Sequence, residues 1–321
     1  MDARDWRVLT EQEAGDAHEA EAARWLSRLH WDTRQSVVRI EAARRAGALA
    51  GLVARDEPGA VRGWTFYLVH EGVLQIGAFV ADSADATATL LDAVTRTPEA
   101  AAASAVMLFV FSDAPGLAAQ LADRGFAIER YRYLEAGLTA EHGHPSRPFM
   151  PASWRAAERN AVAALFERAY TRNETARPFA RGGTSREWRE YVTQLVTTRA
   201  CGEFLADASF MAPSAPGADV AGATLVTRLS VDTAHVAQVA VAPEARRRGL
   251  ARQLLSSSLD AARRHACVRA TLLVSEGNAA AGRLYGTMGF KEVAVFLSAA
   301  RNARCRPTSD PLASGAATTL T

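Results

Sequence analysis

The segment from Val239 to Arg252 reads VAVAPEARRRGLAR. Its small and β-branched residues are typical of a strand, the proline ends that strand, and a basic turn with one glycine follows. A helix is predicted next from an apolar stripe at helical spacing, Leu250, Leu254, Leu255, Leu259 and Ala262. The segment therefore predicts a strand, a turn and a helix, with the turn at the N-terminus of the helix.

This turn has the composition of an anion site. The first turn of a helix leaves backbone N–H groups unpaired, and the helix dipole adds positive charge there. Gly249 permits close approach of the backbone to a bound group, and positive charge comes from Arg246, Arg247, Arg248 and Arg252. These features favour a pyrophosphate. The alternative is an ordinary strand, turn and helix with solvated arginines.

A second informative segment covers residues 270–290. Residues 270–275 are predicted to form a strand, and Asn278 stands where a helix N-cap is expected. Tyr285 lies two turns further along the same helix face. Gly289 is the glycine expected just beyond the C-terminus of that helix.

The two segments together resemble the GNAT superfamily of N-acetyltransferases. The pattern Arg-x-x-Gly-x-Ala that starts at Arg246 resembles the family's pyrophosphate motif. The run from Asn278 to Phe290 matches, at every fixed position, the motif Asn-x-x-Ala-x-x-Leu-Tyr-x-x-x-Gly-Phe. The resemblance covers residues 152–301. It implies a mixed α/β fold with a mostly antiparallel sheet flanked by helices, acetyl-CoA as acyl donor, and no metal.

The resemblance also implies roles for individual residues. The strand at 239–241 is expected to bind the pantetheine arm, the amides of 247–252 the pyrophosphate, and Asn278 the arm near its reactive end. Tyr285 is expected to protonate the departing thiolate; packing against the sheet is the alternative. The full cofactor-binding set is Val239, Ala240, Val241, Arg246, Arg247, Arg248, Gly249, Leu250, Ala251, Arg252, Asn278 and Tyr285.

The motifs leave open which group deprotonates the acceptor amine. His235, eleven residues before Arg246, is a catalytic candidate because histidine titrates near neutral pH. The alternative is a surface histidine at a strand edge. Gln238 and Glu276 are nearby, but glutamine cannot act as a base and Glu276 is predicted to lie on a loop.

The acceptor is expected to be a primary amine of a small molecule or peptide, acetylated by direct transfer in a ternary complex. Residues 171–183 are expected to line its pocket, where Arg172, Arg177, Arg181 and Phe179 suit a carboxylate or phosphate. A solvated loop is the alternative there. For the whole chain, the alternative is a catalytically silent acetyl-CoA sensor or interaction module.

Composition limits the remaining possibilities. The 321 residues carry a net charge of +2, which does not favour nucleic-acid binding. Three cysteines without metal spacing indicate neither a disulfide framework nor a zinc site. The apolar run at 100–111 is too short to cross a membrane, and the N-terminus lacks a signal-peptide core. A cytoplasmic monomer or homodimer that binds no membrane is expected.

The chain is predicted to contain two domains. Residues 1–138 are assigned to a degenerate GNAT-like domain, 139–151 to a linker, 152–301 to the GNAT domain and 302–321 to a disordered tail. Strands are predicted at 48–54, 64–69, 73–81, 105–111, 221–228, 235–242 and 270–275. Helices are predicted at 85–95, 155–170 and 187–198, the last with a capping box formed by Thr184 and Glu187.

A duplication is predicted from two pairs of matching dipeptides. Leu90-Leu91 and Gly125-Phe126 recur 164 positions later. This offset aligns Arg246 with Asp82, Gly249 with Asp85 and Tyr285 with Leu121. The two carboxylates would cap a helix and repel phosphate, so the first half is not expected to bind the cofactor.

Overall fold

The computed structural model describes residues 1–111, 113–138, 151–170, 178–199, 201–213 and 219–302. The predicted linker, apart from its last residue Pro151, lies outside these ranges. So does the predicted tail apart from Asn302. None of the helices in the described ranges combines the length and apolarity that crossing a bilayer requires.

The first half contains six strands and five helices in its described ranges. They are β1 (Asp2–Asp5), α1 (Glu11–Leu29), α2 (Arg34–Arg45), β2 (Ala50–Arg55), β3 (Val61–His70), β4 (Val73–Ala81), α3 (Ala84–Thr95), α4 (Pro98–Ala102), β5 (Ala105–Phe111), α5 (Leu117–Asp123) and β6 (Ala127–Gly137). The four strands and the helix predicted there are confirmed. Four helices, α1, α2, α4 and α5, are not among the predictions, although Thr10 and Glu13 form a capping box that marks the start of α1.

The second half has a similar order of elements, with one more strand before α8 and one helix fewer after it. Its helices and strands are β7 (Ala152–Ser153), α6 (Arg159–Tyr170), α7 (Ser185–Thr197), β8 (Glu203–Phe204), β9 (Phe210–Pro213), β10 (Val220–Ser230), β11 (Thr233–Val241), α8 (Leu250–Arg264), β12 (Arg269–Ser275), α9 (Ala279–Thr287) and β13 (Lys291–Asn302). The capping box of Thr184 and Glu187 at the start of α7 is confirmed. The strands and helices predicted in this half are confirmed as well.

The predicted fold class is confirmed, but the two halves share one sheet. Its order is β1-β2-β3-β4-β5-β13-β6-β12-β11-β10-β9-β7, with β8 paired to β10. Only β4 with β5 and β11 with β12 are parallel pairs among the described strands. The last strand of each half lies in the other half: β13 pairs with β5, and β6 pairs with β12. The domain boundaries stay a prediction, but neither half completes its sheet alone.

The 164-residue offset holds for some elements and not for others. β5 and β12 begin 164 positions apart, and so do β6 and β13. By contrast, Val73 pairs with Ala105 whereas Thr233 pairs with Arg269, so β4 and β11 are offset by 160. The second half therefore carries additional residues between its strand and the following helix, at the position of the basic turn.

The repeated leucine pairs hold the equivalent helices α3 and α8 on the sheet. Leu90, Leu91, Leu254 and Leu255 are all fully buried. Burying a leucine side chain stabilises the fold by about 1.5–3 kcal/mol, so each pair fixes its helix firmly. In the second half this anchoring holds the N-terminus of α8 at the end of β11, where the candidate site lies.

Candidate functional site

A groove opens where β11 and β12 separate. Their parallel pairing runs only from Thr233 and Arg269 to Val236 and Leu272. Beyond that point β11 stays paired with β10 as far as Val241, while its other edge is left free. The space between the strands is a groove of about 530 Å³. The free strand edge exposes backbone groups to whatever occupies the groove.

Eight of the predicted site residues line this groove. They are Val239, Ala240, Val241, Arg246, Arg247, Ala251, Asn278 and Tyr285. Arg248, Gly249, Leu250 and Arg252 are not among its lining residues, and Arg252 donates a hydrogen bond to Thr287 on α9. The groove thus runs from the basic turn, past the free edge of β11, to Tyr285.

The basic turn has a backbone shape that depends on Gly249. This residue is the N-cap of α8 at φ 78°, the left-handed region that favours glycine. A Cβ atom placed there would meet nothing within 4 Å, so conformation, not space, requires glycine. Arg247 also has a positive φ, of 62°. The turn is exposed, and no side chain caps the helix after it.

The amides of this turn have no protein partner. The first hydrogen bond of α8 runs from the Gln253 amide to the Gly249 carbonyl at 3.1 Å. No described group accepts a hydrogen bond from the amides of residues 247–252. A row of free N–H groups at the positive end of a 15-residue helix is suited to binding an anion.

Arg246 has a positioning role in this arrangement. Its Nε donates to the Val241 carbonyl at 3.2 Å, and a terminal guanidinium nitrogen donates to the Ala169 carbonyl at 2.7 Å. These bonds tie the basic turn to the end of α6. The free cationic side chains of the turn are therefore those of Arg247 and Arg248, which are exposed.

The far end of the groove is formed by α9. The prediction of Asn278 as its N-cap is confirmed, because Oδ1 accepts a hydrogen bond from the Ala281 amide at 3.1 Å. Gly289, at φ 87°, lies just beyond the helix as predicted. The Phe290 amide then bonds to the Tyr285 carbonyl at 3.1 Å. These contacts fix the helix turn that carries Tyr285.

Tyr285 points its ring into the groove wall and is 8% exposed. Burial raises the pKa of its phenol to about 12, so the hydroxyl stays protonated at neutral pH. No described residue forms a hydrogen bond with this hydroxyl. A protonated phenol without a hydrogen-bond partner is chemically able to donate a proton to a group bound in the groove.

A second tyrosine in the groove was not predicted as a site residue. The Tyr170 hydroxyl donates to Gln238 Oε1 at 2.9 Å and lies 3.1 Å from the Val239 carbonyl oxygen. Gln238 Nε2 in turn donates to the Tyr191 hydroxyl at 3.1 Å. The one available sequence indication is that Tyr170 follows the buried Phe166 by four residues, on the same face of α6.

The structure does not bring His235 to the groove. It lies in the paired part of β11, is 3% exposed, and stacks on Tyr133 at 5.9 Å between ring centroids. Its Nδ1 lies 2.9 Å from Thr271 Oγ1. The expectation of a surface histidine is wrong, and a side chain sealed in the core has no path to an acceptor. Glu276 also misses the groove and pairs with Arg130 at 2.9 Å.

His235 instead makes stability depend on pH. Burial lowers its pKa from 6.5 to about 4, so folding favours the neutral imidazole. The unfolded chain gains a proton first as pH falls, and roughly 3 kcal/mol of stability is lost between those values. We expect His235→Gln to remove this part of the pH dependence in urea unfolding from pH ~7 to ~4. Turnover of His235→Gln at neutral pH should stay within about threefold of wild type. Loss of turnover in a folded His235→Gln variant would instead support His235 as the general base.

The predicted acceptor loop is only partly described. Residues 171–177, with Arg172 and Arg177, lie outside the described ranges. Phe179 lines the groove, while Arg181 donates a hydrogen bond to Asn302 Oδ1 at 2.8 Å. The carboxylate or phosphate interpretation of this loop stays a prediction.

The equivalent position in the first half has no basic turn. Only Asp82 and Ser83 connect β4 to α3, and the N-cap is Ser83, whose Oγ accepts a hydrogen bond from the Ala86 amide. Asp82 pairs with Arg62 at 3.2 Å. The expectation that two carboxylates cap this helix is therefore wrong, because the serine hydroxyl does so.

Comparisons with known proteins concern the family and the fold. Residues 161–290 match the model of the acetyltransferase (GNAT) family. A search of curated protein sequences finds no significant match. Among solved structures, a GCN5-related N-acetyltransferase from Sphaerobacter thermophilus is 14% identical, with a TM-score of 0.55 over 78% of this chain and 80% of that one.

Two further structures share the fold over much of the chain. A tandem GNAT protein from the clavulanic acid biosynthesis pathway is 17% identical, with a TM-score of 0.57 over 79% of this chain and 83% of that one. A GNAT-family acetyltransferase from Colwellia psychrerythraea is 10% identical, with a TM-score of 0.52 over 94% and 99%. At these identities the similarity concerns the fold alone.

Proposed function

Because residues 161–290 match the model of the GNAT acetyltransferase family, we propose that the chain is an acetyl-CoA-dependent N-acetyltransferase. Its acceptor is a primary amine of a small molecule or peptide, and the acetyl group moves directly in a ternary complex. The observation that carries the proposal is the row of free amides at residues 247–252, opening into a groove that leads to Tyr285.

The residues present fit acetyl-CoA. The free amides and the exposed Arg247 and Arg248 suit its pyrophosphate, which is too large and too charged for an uncharged pocket. The unpaired edge of β11 at residues 239–241 suits the amide groups of the pantetheine arm. Asn278, at the far end, is placed to bind the arm near the thioester.

The chain's own residues then have three tasks in the reaction. Acetyl-CoA supplies an activated acyl thioester when bound. The free amides hold its charged end and fix the register of the arm along β11. Tyr285 gives its proton to the sulfur as the carbon–sulfur bond breaks, so a poor thiolate leaving group departs as a thiol. The scheme uses no metal ion.

The first half is proposed to hold no cofactor at the equivalent position. Its connection of Asp82 and Ser83 is too short for a cradle, and the hydroxyl of Ser83 already occupies one amide of the helix N-terminus. Its strand β6 forms the neighbour of β12 on the side away from β11.

The test is a screen of primary amines with acetyl-CoA, read as release of free CoA. We expect binding of acetyl-CoA by calorimetry and turnover with at least one amine above the hydrolysis background. Binding without turnover on a broad panel of small amines and peptide N-termini would favour the silent sensor. Absence of acetyl-CoA binding would contradict both functions, because each depends on the basic turn.

A further inference from the structure

Strand β6 of the first half, which pairs with β12 of the second, carries the carboxylate of Glu129 close to the groove. The whole of β12 pairs with residues 131–137 of β6, with Ser275 opposite Tyr131. The next residues of β6 run past the open end of the groove, where the Glu276 amide bonds to the Arg130 carbonyl at 2.9 Å. Glu129 lies at this point, 146 positions before Ser275 in sequence.

Glu129 lies one hydroxyl group away from the groove. Its Oε1 accepts a hydrogen bond of 2.5 Å from Ser275 Oγ, and its Oε2 accepts one of 3.3 Å from the Tyr131 hydroxyl. Ser275 lines the groove, is 3% exposed, and is held by the Gly277 amide at 3.1 Å. Short bonds from hydroxyls to a carboxylate are typical of a charged acceptor.

No cationic side chain neutralises Glu129 in the described part of the chain. The neighbouring Glu276, by contrast, does have such a partner, because it pairs with Arg130 at 2.9 Å. A carboxylate that binds only two hydroxyl donors still has unused lone pairs on its oxygens. Glu129 is therefore the carboxylate near the groove that suits accepting a proton.

Glu129 and Tyr285 lie on opposite faces of the sheet. Side chains alternate along β12, so Leu273 and Ser275 face one side and Leu272 and Val274 the other. Leu273 packs in the cluster of Tyr131, whereas Val274 packs in the cluster of Tyr285. The groove passes between the separated strands and so connects the two faces. A proton donor for sulfur and a proton acceptor for nitrogen thus lie on opposite walls.

We infer that Glu129, acting through the Ser275 hydroxyl, accepts the proton that the acceptor ammonium loses before attack. This inference rests on the proposed function. One proton of the ammonium passes to Ser275 Oγ while the serine proton passes to Glu129, which later releases it to solvent. The nitrogen then bonds to the carbonyl carbon and the carbon–sulfur bond breaks. The second proton lost from nitrogen passes through solvent to the Tyr285 phenolate and replaces the one that Tyr285 gave to sulfur.

The test compares Glu129→Gln with wild type on two acceptors of one skeleton. These are the best amine of the screen and its analogue fluorinated beside the amine carbon, which is far less basic and mostly unprotonated at neutral pH. We expect kcat/KM to fall about 100-fold with the basic amine, within the range for proton transfer, and less than about threefold with the fluorinated one.

A structural role would lower both activities equally, and that result would overturn the inference, as would no fall with either amine. Calorimetry should show unchanged acetyl-CoA affinity in Glu129→Gln. The matched control is Glu135→Gln on the same strand, whose carboxylate faces His30 and should leave the ratio of the two activities unchanged. If wild type acetylates no amine, the proposed function fails first, and this inference fails with it.

Discussion

Gly249→Asp is expected to weaken acetyl-CoA binding by at least about 100-fold while leaving the fold intact. The new carboxylate would stand beside the free amides of residues 247–252 and compete with the pyrophosphate for them. Repulsion between like charges ~4 Å apart at a protein surface reaches about 4 kcal/mol, and a 100-fold change in Kd corresponds to about 2.7 kcal/mol. Isothermal titration calorimetry with acetyl-CoA measures the effect.

The chain offers a closely matched control for this substitution. Gly116 is the N-cap of α5 at φ 76° and ψ 1°, and Gly249 is the N-cap of α8 at φ 78° and ψ 2°; neither helix has a side-chain cap. Gly116→Asp therefore imposes similar backbone strain and the same charge away from the groove. We expect its affinity for acetyl-CoA to match wild type. Normal affinity in Gly249→Asp would contradict the pyrophosphate position.

Tyr285→Phe is expected to lower kcat by about 100-fold or more, with little change in acetyl-CoA affinity. The substitution keeps the ring, and hence its contact with Phe290 at 6.0 Å between centroids, but removes the proton that sulfur needs. Pre-steady-state and steady-state assays of CoA release measure the fall. Because burial raises the pKa of this phenol to about 12, wild-type activity should show no loss from its ionisation up to about pH 10.

Tyr170→Phe separates this role from a general effect of removing a hydroxyl from the groove. The Tyr170 proton is directed at Gln238 Oε1, so Tyr170 is less suited to serve sulfur. We expect its loss to reduce kcat by less than about tenfold, mainly by loosening Gln238. Unchanged turnover in Tyr285→Phe would show that Tyr285 is not the proton donor. A fall in kcat that is larger in Tyr170→Phe than in Tyr285→Phe would assign the proton donor to Tyr170.

The helices and strands of the second half were predicted well, because apolar spacing and helix caps depend only on residues close together in sequence. The apolar stripe from Leu250 to Ala262 is buried against the sheet, and the N-cap of Asn278 and the capping box of Thr184 form as predicted. The helices α1 and α2 went unpredicted, since their alanine-rich and charged sequences give weak apolar stripes.

Residues far from each other in sequence were predicted poorly. His235 was predicted as a catalytic candidate, with a surface histidine as the alternative, but the aromatic rings that pack on it, Tyr133 and Trp31, come from the first half. Likewise, the 164-residue offset placed Asp82 opposite Arg246. The pairing of β4 with β5 shows that the additional residues of the second half fall within the turn itself.

The sequence by itself determined the strand, the basic turn and the helix from Val239 onward, and the helix that places Tyr285 after Asn278. These features follow from backbone conformation and hydrogen bonding within a few residues, and the first amides of a helix are free whatever surrounds it. Only the tertiary structure decided that β6 pairs with β12 and β13 with β5, each in the other half of the chain. It also decided that His235 is buried in the core and that Glu129 accepts a hydrogen bond from Ser275. Strands of similar composition offer the same hydrogen-bonding edges, so burial over the whole chain selects their partners.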